Sequence, residues 1–132
     1  MAPLPDRHLA GLYGARIGLA LFVQQSEREA RALGTTHAQH HVLLGLYSQK
    51  SDVGPTVKDI AAALGVASPS AVELVNRMAA TGLLERHRDP DDGRVTHLHL
   101  TERGKELMHQ LSEGHLPRLR ELHVRNTELL RD

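Results

Sequence analysis

The chain has no cysteine and no tryptophan, only three aromatic residues, no long apolar run and no net charge. The missing cysteines exclude disulfides, thiolate metal sites and thiol-based redox sensing. Three aromatics (Tyr13, Phe22 and Tyr47) leave the core to Leu, Val, Ile and Ala, a composition that favours helices over sheets. No apolar stretch approaches the roughly 20 residues of a membrane span. The opening MAPLPDRHLAG lacks the basic-then-apolar layout of a signal peptide. The expectation is therefore a soluble, cytoplasmic protein without membrane contact. Its 132 residues suit one domain with a real core. Sixteen Lys and Arg balance sixteen Asp and Glu, with a pI near 7.2. A nonspecific polyanion binder would be visibly basic, so any affinity for nucleic acid must come from the placement of a few arginines and helix ends.

Punctuation along the chain is regular. Asp6 to Leu33 shows three-and-four spacing through Leu9, Leu12, Tyr13, Ile17 and Leu21, which predicts a helix stopped at Gly34. Thr36 followed by Gln39 is a capping pattern that opens a second helix through Tyr47. Ser48 to Pro55 reads as a loop. Thr56 with Asp59 caps a short helix lined by Ile60, Ala61 and Leu64 and ended by Gly65. Ser68-Pro69 starts the next, with Ser68 as cap, Pro69 in the first helical position, and Val72, Val75, Met78 and Ala79 as the buried stripe up to Gly82. Leu83 to Arg88 and the set Val95, Leu98, Leu100 flank the turn-rich DPDDG, which predicts a two-stranded hairpin. Thr101 caps a further helix, with a break expected around Gly114 to Pro117. An amphipathic helix carrying Leu116, Leu119, Leu122, Leu129 and Leu130 then follows.

Two short helices across a tight turn, then a hairpin, is the arrangement by which a winged helix-turn-helix reads duplex DNA. The turn Leu64-Gly65-Val66 sets the second helix across the first, so that its N-terminal end can enter a major groove about 12 Å wide. Ser68 and Ser70 suit phosphates or base edges, and the helix N-terminus favours phosphate. Glu73 can accept from a cytosine amino group, Arg77 suits a phosphate, and Arg94 at the hairpin tip suits a narrow minor groove. Asp91 or Asp92 would hold the tip and orient Arg94. A helix pair alone is common in all-α proteins, with Ser68 a mere cap and Asp92–Arg94 a surface pair; the hairpin that follows makes the set specific.

Along nearly its whole length the chain resembles the MarR (multiple antibiotic resistance regulator) family of transcription factors. The matching residues are AAALGVASPSAVELVNRM, Thr81-Gly82-Leu83-Leu84-Glu85-Arg86, the DPDDGR wing and Leu100-Thr101-Glu102-Arg103-Gly104. The resemblance implies a mainly α fold with six helices and a β-hairpin wing. Residues 1–34 and 105–132 would be dimerisation helices, and 35–104 the DNA-binding lobe. It further implies a homodimeric repressor of a pseudopalindromic site, released by a small, often phenolic, effector. Ser68, Ser70, Glu73 and Arg77 then fall on the recognition helix, with Asp92 and Arg94 on the wing. The chain departs from the family in having Glu73-Leu74 where many relatives have Thr-Arg, and Gly93 where an arginine is frequent.

For the effector, Tyr13, Arg16 and His41 are candidates to line a cleft between the first two helices, Arg16 pairing an aromatic carboxylate. Tyr13 in a dimer core and Arg16 on the surface is the competing placement. Ten histidines, with His37 and His41 one turn apart and His109 and Glu113 repeating that spacing, raise zinc sensing as an alternative. Solvent- or phosphate-facing histidines near a helix start are the plainer reading, and no metal ligand or cofactor is assigned. An enzyme is not expected: there is no Cys nucleophile, Gly-rich phosphate loop or serine elbow. Neutral charge also keeps open a winged helix used only for protein contacts.

Overall fold

A computed structural model describes residues 1–49 and 52–132. Its elements are α1 (Asp6–Ala32), α2 (His37–Ser48), α3 (Val57–Leu64), α4 (Ser68–Ala80), β1 (Leu84–Arg88), β2 (Thr96–Leu100) and α5 (Glu102–Leu129). The fold is mainly helical with one antiparallel hairpin, as expected. Of the expected loop from Ser48 to Pro55, Lys50 and Ser51 lie outside the described residues. The chain divides into a central unit, residues 35–110, and a terminal unit, residues 1–34 and 111–132, with α5 contributing to both.

The central unit is built by local rules. The Thr36 hydroxyl accepts from the Gln39 amide and starts α2. Thr56 and Asp59 form a complete capping box on α3, hydroxyl to amide at 3.2 Å and amide to carboxylate at 3.0 Å. Gly65 ends α3 at φ +68, with nothing near the place a Cβ would occupy; backbone conformation alone demands glycine there. The Thr101 hydroxyl caps α5 by accepting from the Gly104 amide at 3.0 Å. Large side chains fill the core: Leu43, Ile60, Val75, Met78 and Leu98 are almost completely buried. Burial of this kind stabilises by about 1.5–3 kcal/mol per side chain.

Two expectations for the central unit are corrected. The N-cap of α4 is Ala67, and Ser68 is already helical with Pro69 behind it, so no side chain caps this helix. The buried stripe runs Ala71, Val75, Met78, leaving Val72 exposed and Ala79 half-buried. Positions 71, 75 and 78 follow the i, i+4, i+7 row of one helix face, and Val72 lies about 100° around from it. Ala71 is fully buried, and its small side chain lets α4 lie close to its neighbours.

The terminal unit is built the other way round. The buried residues of α1 are Gly11, Ala15, Gly18, Ser26 and Ala30. A Cβ on Gly11 would lie 2.1 Å from the Leu129 carbonyl oxygen, and one on Gly18 would lie 2.9 Å from Leu122 Cδ1. The backbones of α1 and late α5 are therefore in near contact, which only missing side chains allow. Leu9, Leu12, Tyr13, Ile17 and Leu21, read from their spacing as the apolar face, stay exposed, as do Leu116 and Leu119.

The break expected around Gly114 to Pro117 is absent: α5 runs unbroken through Pro117, and the described residues hold five helices where the resemblance implied six. An internal proline removes one backbone bond and costs about 3 kcal/mol. Packing on both sides of it offsets that cost. His115 meets Phe22 edge-on at 4.6 Å, Arg118 forms a two-pronged ion pair with Glu29 (Nη2 to Oε2 2.8 Å), and Leu122 lies on Gly18.

Candidate nucleic-acid interface

The exposed side of α4 is the first surface of interest. Because Ala67 takes the cap position, the hydroxyls of Ser68 and Ser70 are not used for capping; both are exposed and make no side-chain hydrogen bond among the described residues. One turn on, Glu73 and Arg77 face each other at 3.7 Å, both largely exposed. A pair of this sort is worth little in water and exchanges readily for outside partners. Asn76 on the same side holds the guanidinium of Arg86 from β1. Neither residue was singled out from sequence, because nothing in their spacing brings position 76 to 86.

The second surface is the wing. Strand pairing runs from Leu84 opposite Leu100 to Arg88 opposite Thr96. At the tip one oxygen of Asp89 accepts from the amides of Asp91 (2.8 Å) and Asp92 (2.9 Å). Asp92 in turn accepts from the amide and the Nε of Arg94, both at 3.1 Å. Of the two aspartates considered for orienting Arg94, Asp92 does so. The arginine head stands clear of the surface, with 91% of its side chain exposed.

The wing is tied to the helix pair at its base. His97 Nε2 lies 2.7 Å from the second Asp89 oxygen, and His97 Nδ1 lies 2.7 Å from the carbonyl oxygen of Gly54. The Leu98 amide donates to the Pro55 carbonyl at 2.8 Å, and Thr56 bridges to His97. Gly54 itself sits at φ +87, and a Cβ there would come within 2.7 Å of the Leu98 carbonyl oxygen. The hydrogen bond to His97 and those from the tip amides hold the Asp89 carboxyl below the usual carboxylate range, and Asp89 raises the His97 pKa above the ordinary 6.5. The Thr56 amide and hydroxyl lower the Asp59 carboxyl. His97 escaped the sequence reading because its contact with Gly54 spans 43 positions, and Asp89 because its pairing with His97 forms only across the finished hairpin.

The effector candidates divide between the units. Tyr13 and Arg16 are exposed on α1 of the terminal unit. His41 is in the central unit, where it lines a cavity of about 390 Å³ with His37, Leu64, Ser70, Leu74 and Arg77. His109 packs edge-on against Tyr47 at 6.3 Å. Among the described residues no three His, Asp or Glu side chains converge as a metal site.

The description "MarR family" is that of the sequence family matching residues 33–95, the segment that holds both surfaces up to the wing arginine. Residues 33–95 match the MarR family. Solved structures agree over a longer span. The Staphylococcus aureus MepR–DNA complex is 26% identical, with a TM-score of 0.76 over 85% of this chain and 81% of that one. MepR, described as a transcription regulator of the S. aureus multidrug efflux pump MepA, is 25% identical with a TM-score of 0.75, over 85% of this chain and 81% of that one. AbsC, a MarR family transcriptional regulator from Streptomyces coelicolor, is 22% identical with a TM-score of 0.77, over 94% of this chain and 83% of that one, and speaks for the fold alone. A comparison with curated proteins finds no match. Over 85–94% of its length the chain shares the fold of these MarR transcription regulators, and no described helix is long and apolar enough to cross a membrane.

Proposed function

We propose that this chain is a DNA-binding transcriptional repressor that acts as a homodimer on a pseudopalindromic site. The observation that carries the reading is the pairing, in one MarR-family segment, of an α4 face with uncommitted serines and a wing whose arginine is held outward by Asp92. In this reading Ser68, Ser70 and Glu73 face base edges and phosphates in the major groove, Arg77 contacts phosphate, and Arg94, set by Asp92, enters the adjacent minor groove. A related solved protein, MepR, has been seen with DNA, which supports the partner.

Residues 1–34 and 105–132 are the proposed dimerisation region. Its support is the number of large apolar side chains left exposed on the two helices of this unit, Leu9, Leu12, Ile17, Leu116 and Leu119 among them, since exposed apolar area beyond what a lone copy needs suits an interaction site. A small organic effector, an aromatic acid or phenol, is proposed to release the DNA, with Tyr13, Arg16 and His41 as its contacts. Binding of fluorescent duplexes at several salt concentrations tests the central claim. The expected result is a linear fall of log affinity with log salt that becomes shallower by about two when Arg94→Ala removes one positive charge from each wing of the dimer. Absence of any duplex binding at low salt would reject it. For the effector, Arg16→Ala is expected to abolish ligand-induced release in a screen of aromatic acids.

A further inference from the structure

Strand alternation places Glu85, His87, His97 and His99 on one face of the hairpin. His87 and His99 stack at 4.4 Å, and His87 Nε2 lies 3.1 Å from Glu85 Oε2; all three are solvent-accessible. His97 differs. Only 12% of its side chain is exposed, and its two nitrogens each face an oxygen at 2.7 Å, one from Gly54 and one from Asp89. A backbone carbonyl has no proton to give, and an ionised carboxylate has none either. A neutral imidazole carries one N–H, so it would leave a nitrogen lone pair facing an oxygen lone pair at hydrogen-bond distance. The imidazolium donates to both. From Asp89 the connection continues through the Asp91 and Asp92 amides to the Asp92 carboxylate and Arg94. Hydrogen bonds at Gly54, His97 and Asp89, carried on through the residue Asp92 to Arg94, thus join the segment before α3 to the wing tip.

We infer that His97, as the imidazolium, and Asp89 are positioning residues that set the wing arginine against the helix pair, so that Arg94 and the α4 face engage one duplex together. The inference rests on the DNA-binding reading. It makes DNA affinity depend on pH through a side chain that does not touch DNA. The charges around the ring are Asp89 at the start of the tip, Asp59 with its neighbour Lys58 on the first turn of α3, and His87 opposite in register on β1 with Glu85. His99 is the remaining titratable group on the same face. Asp89 and Asp59 favour the charged ring, and protonation of His87 opposes it. The raised pKa of His97 and the lowered pKa of Asp89 agree with the geometry.

Two measurements on the full-length chain test this. The first is an imidazole nitrogen NMR titration without DNA. Both His97 nitrogens are expected to be protonated at neutral pH, with the Asp91, Asp92 and Arg94 amides shifting at the His97 midpoint. The second is anisotropy of a labelled duplex selected by this chain from a random-sequence pool, followed from mildly acidic to mildly alkaline pH. Wild-type affinity is expected to drop about tenfold as pH rises through the His97 midpoint. His97→Gln is expected to bind at the weakened level throughout, without that step. His97→Lys, which keeps a cation beside Asp89, is expected to recover part of the affinity, also without a step. His87→Gln and His99→Gln are expected to keep it. A ring that is neutral below pH 6.5, wing amides that ignore its titration, or a step that survives in His97→Gln overturns the inference. If no form binds DNA at any pH, the DNA reading falls instead, and the titration still decides whether the ring sets the wing.

Discussion

The two units obey opposite packing rules. The central unit buries Leu43, Ile60, Val75, Met78 and Leu98 and presents polar side chains on α4 and the wing. The terminal unit buries glycine, alanine and serine along α1 and exposes leucine, isoleucine and tyrosine. In the first, stability comes from apolar area removed from water within one copy. In the second, missing side chains on α1 bring two backbones together, and most of the large apolar groups of α1 are left facing outward. A unit that buries its large side chains is complete on its own terms. One that exposes them has apolar area still available, which is the physical support for assigning the dimer contact to it.

The comparison can be broken at four points. The largest expected effect is in the central core, where Met78→Ala removes a fully buried side chain and is expected to lower stability by about 2–5 kcal/mol in denaturant unfolding. Next is Gly11→Ala: a methyl 2.1 Å from the Leu129 carbonyl oxygen must push the helices apart, at a cost of about 1–3 kcal/mol. If stability is unchanged, the close approach is not what holds the terminal unit. The double substitution Ile17→Ser, Leu119→Ser should leave the thermal stability of the central unit nearly unchanged while shifting the mass in light scattering towards monomer at low concentration. It should weaken association by at least about tenfold, or ~1.4 kcal/mol. An unchanged dimer would place the interface elsewhere.

The smallest effect is the pH dependence of the wing tie. His97 has a raised pKa, so its contribution is fully present below 6.5 and is lost as pH rises through its folded value. Asp89 has a lowered pKa, so its contribution is present above 3.8 and is lost as pH falls through its folded value. Both contributions are therefore fully present between 3.8 and 6.5. The difference in melting temperature between wild type and His97→Gln should be largest in that window and shrink on either side. A constant difference across pH would mean that the substitution acts through shape alone.

Much of the fold was legible because the signals act over a few residues. Thr36, Thr56 and Thr101 cap helices by bonding amides three positions on, and Gly65 supplies a left-handed turn that no neighbour needs to impose. DPDDG closes a hairpin through its own aspartates. The misread parts depend on distant residues. Ser68 has the chemistry of a cap, yet the helix begins one residue earlier. Pro117 has the chemistry of a break, yet Phe22 and Glu29 hold both sides of it in helix. The spacing of Leu9, Leu12, Tyr13 and Ile17 correctly signals a helix but cannot say which face turns inward.

The sequence by itself settled the order and type of the elements up to the start of α5, including the helix-turn-helix and the wing, because caps, turns and strand alternation are short-range effects of hydrogen bonding and backbone sterics. Tertiary structure decided which faces are buried and which polar groups meet. The close approach of Gly11 to Leu129 and the bridge from Gly54 through His97 to Asp89 join residues far apart in the chain. Such contacts exist only once the elements have packed, and no local pattern encodes them.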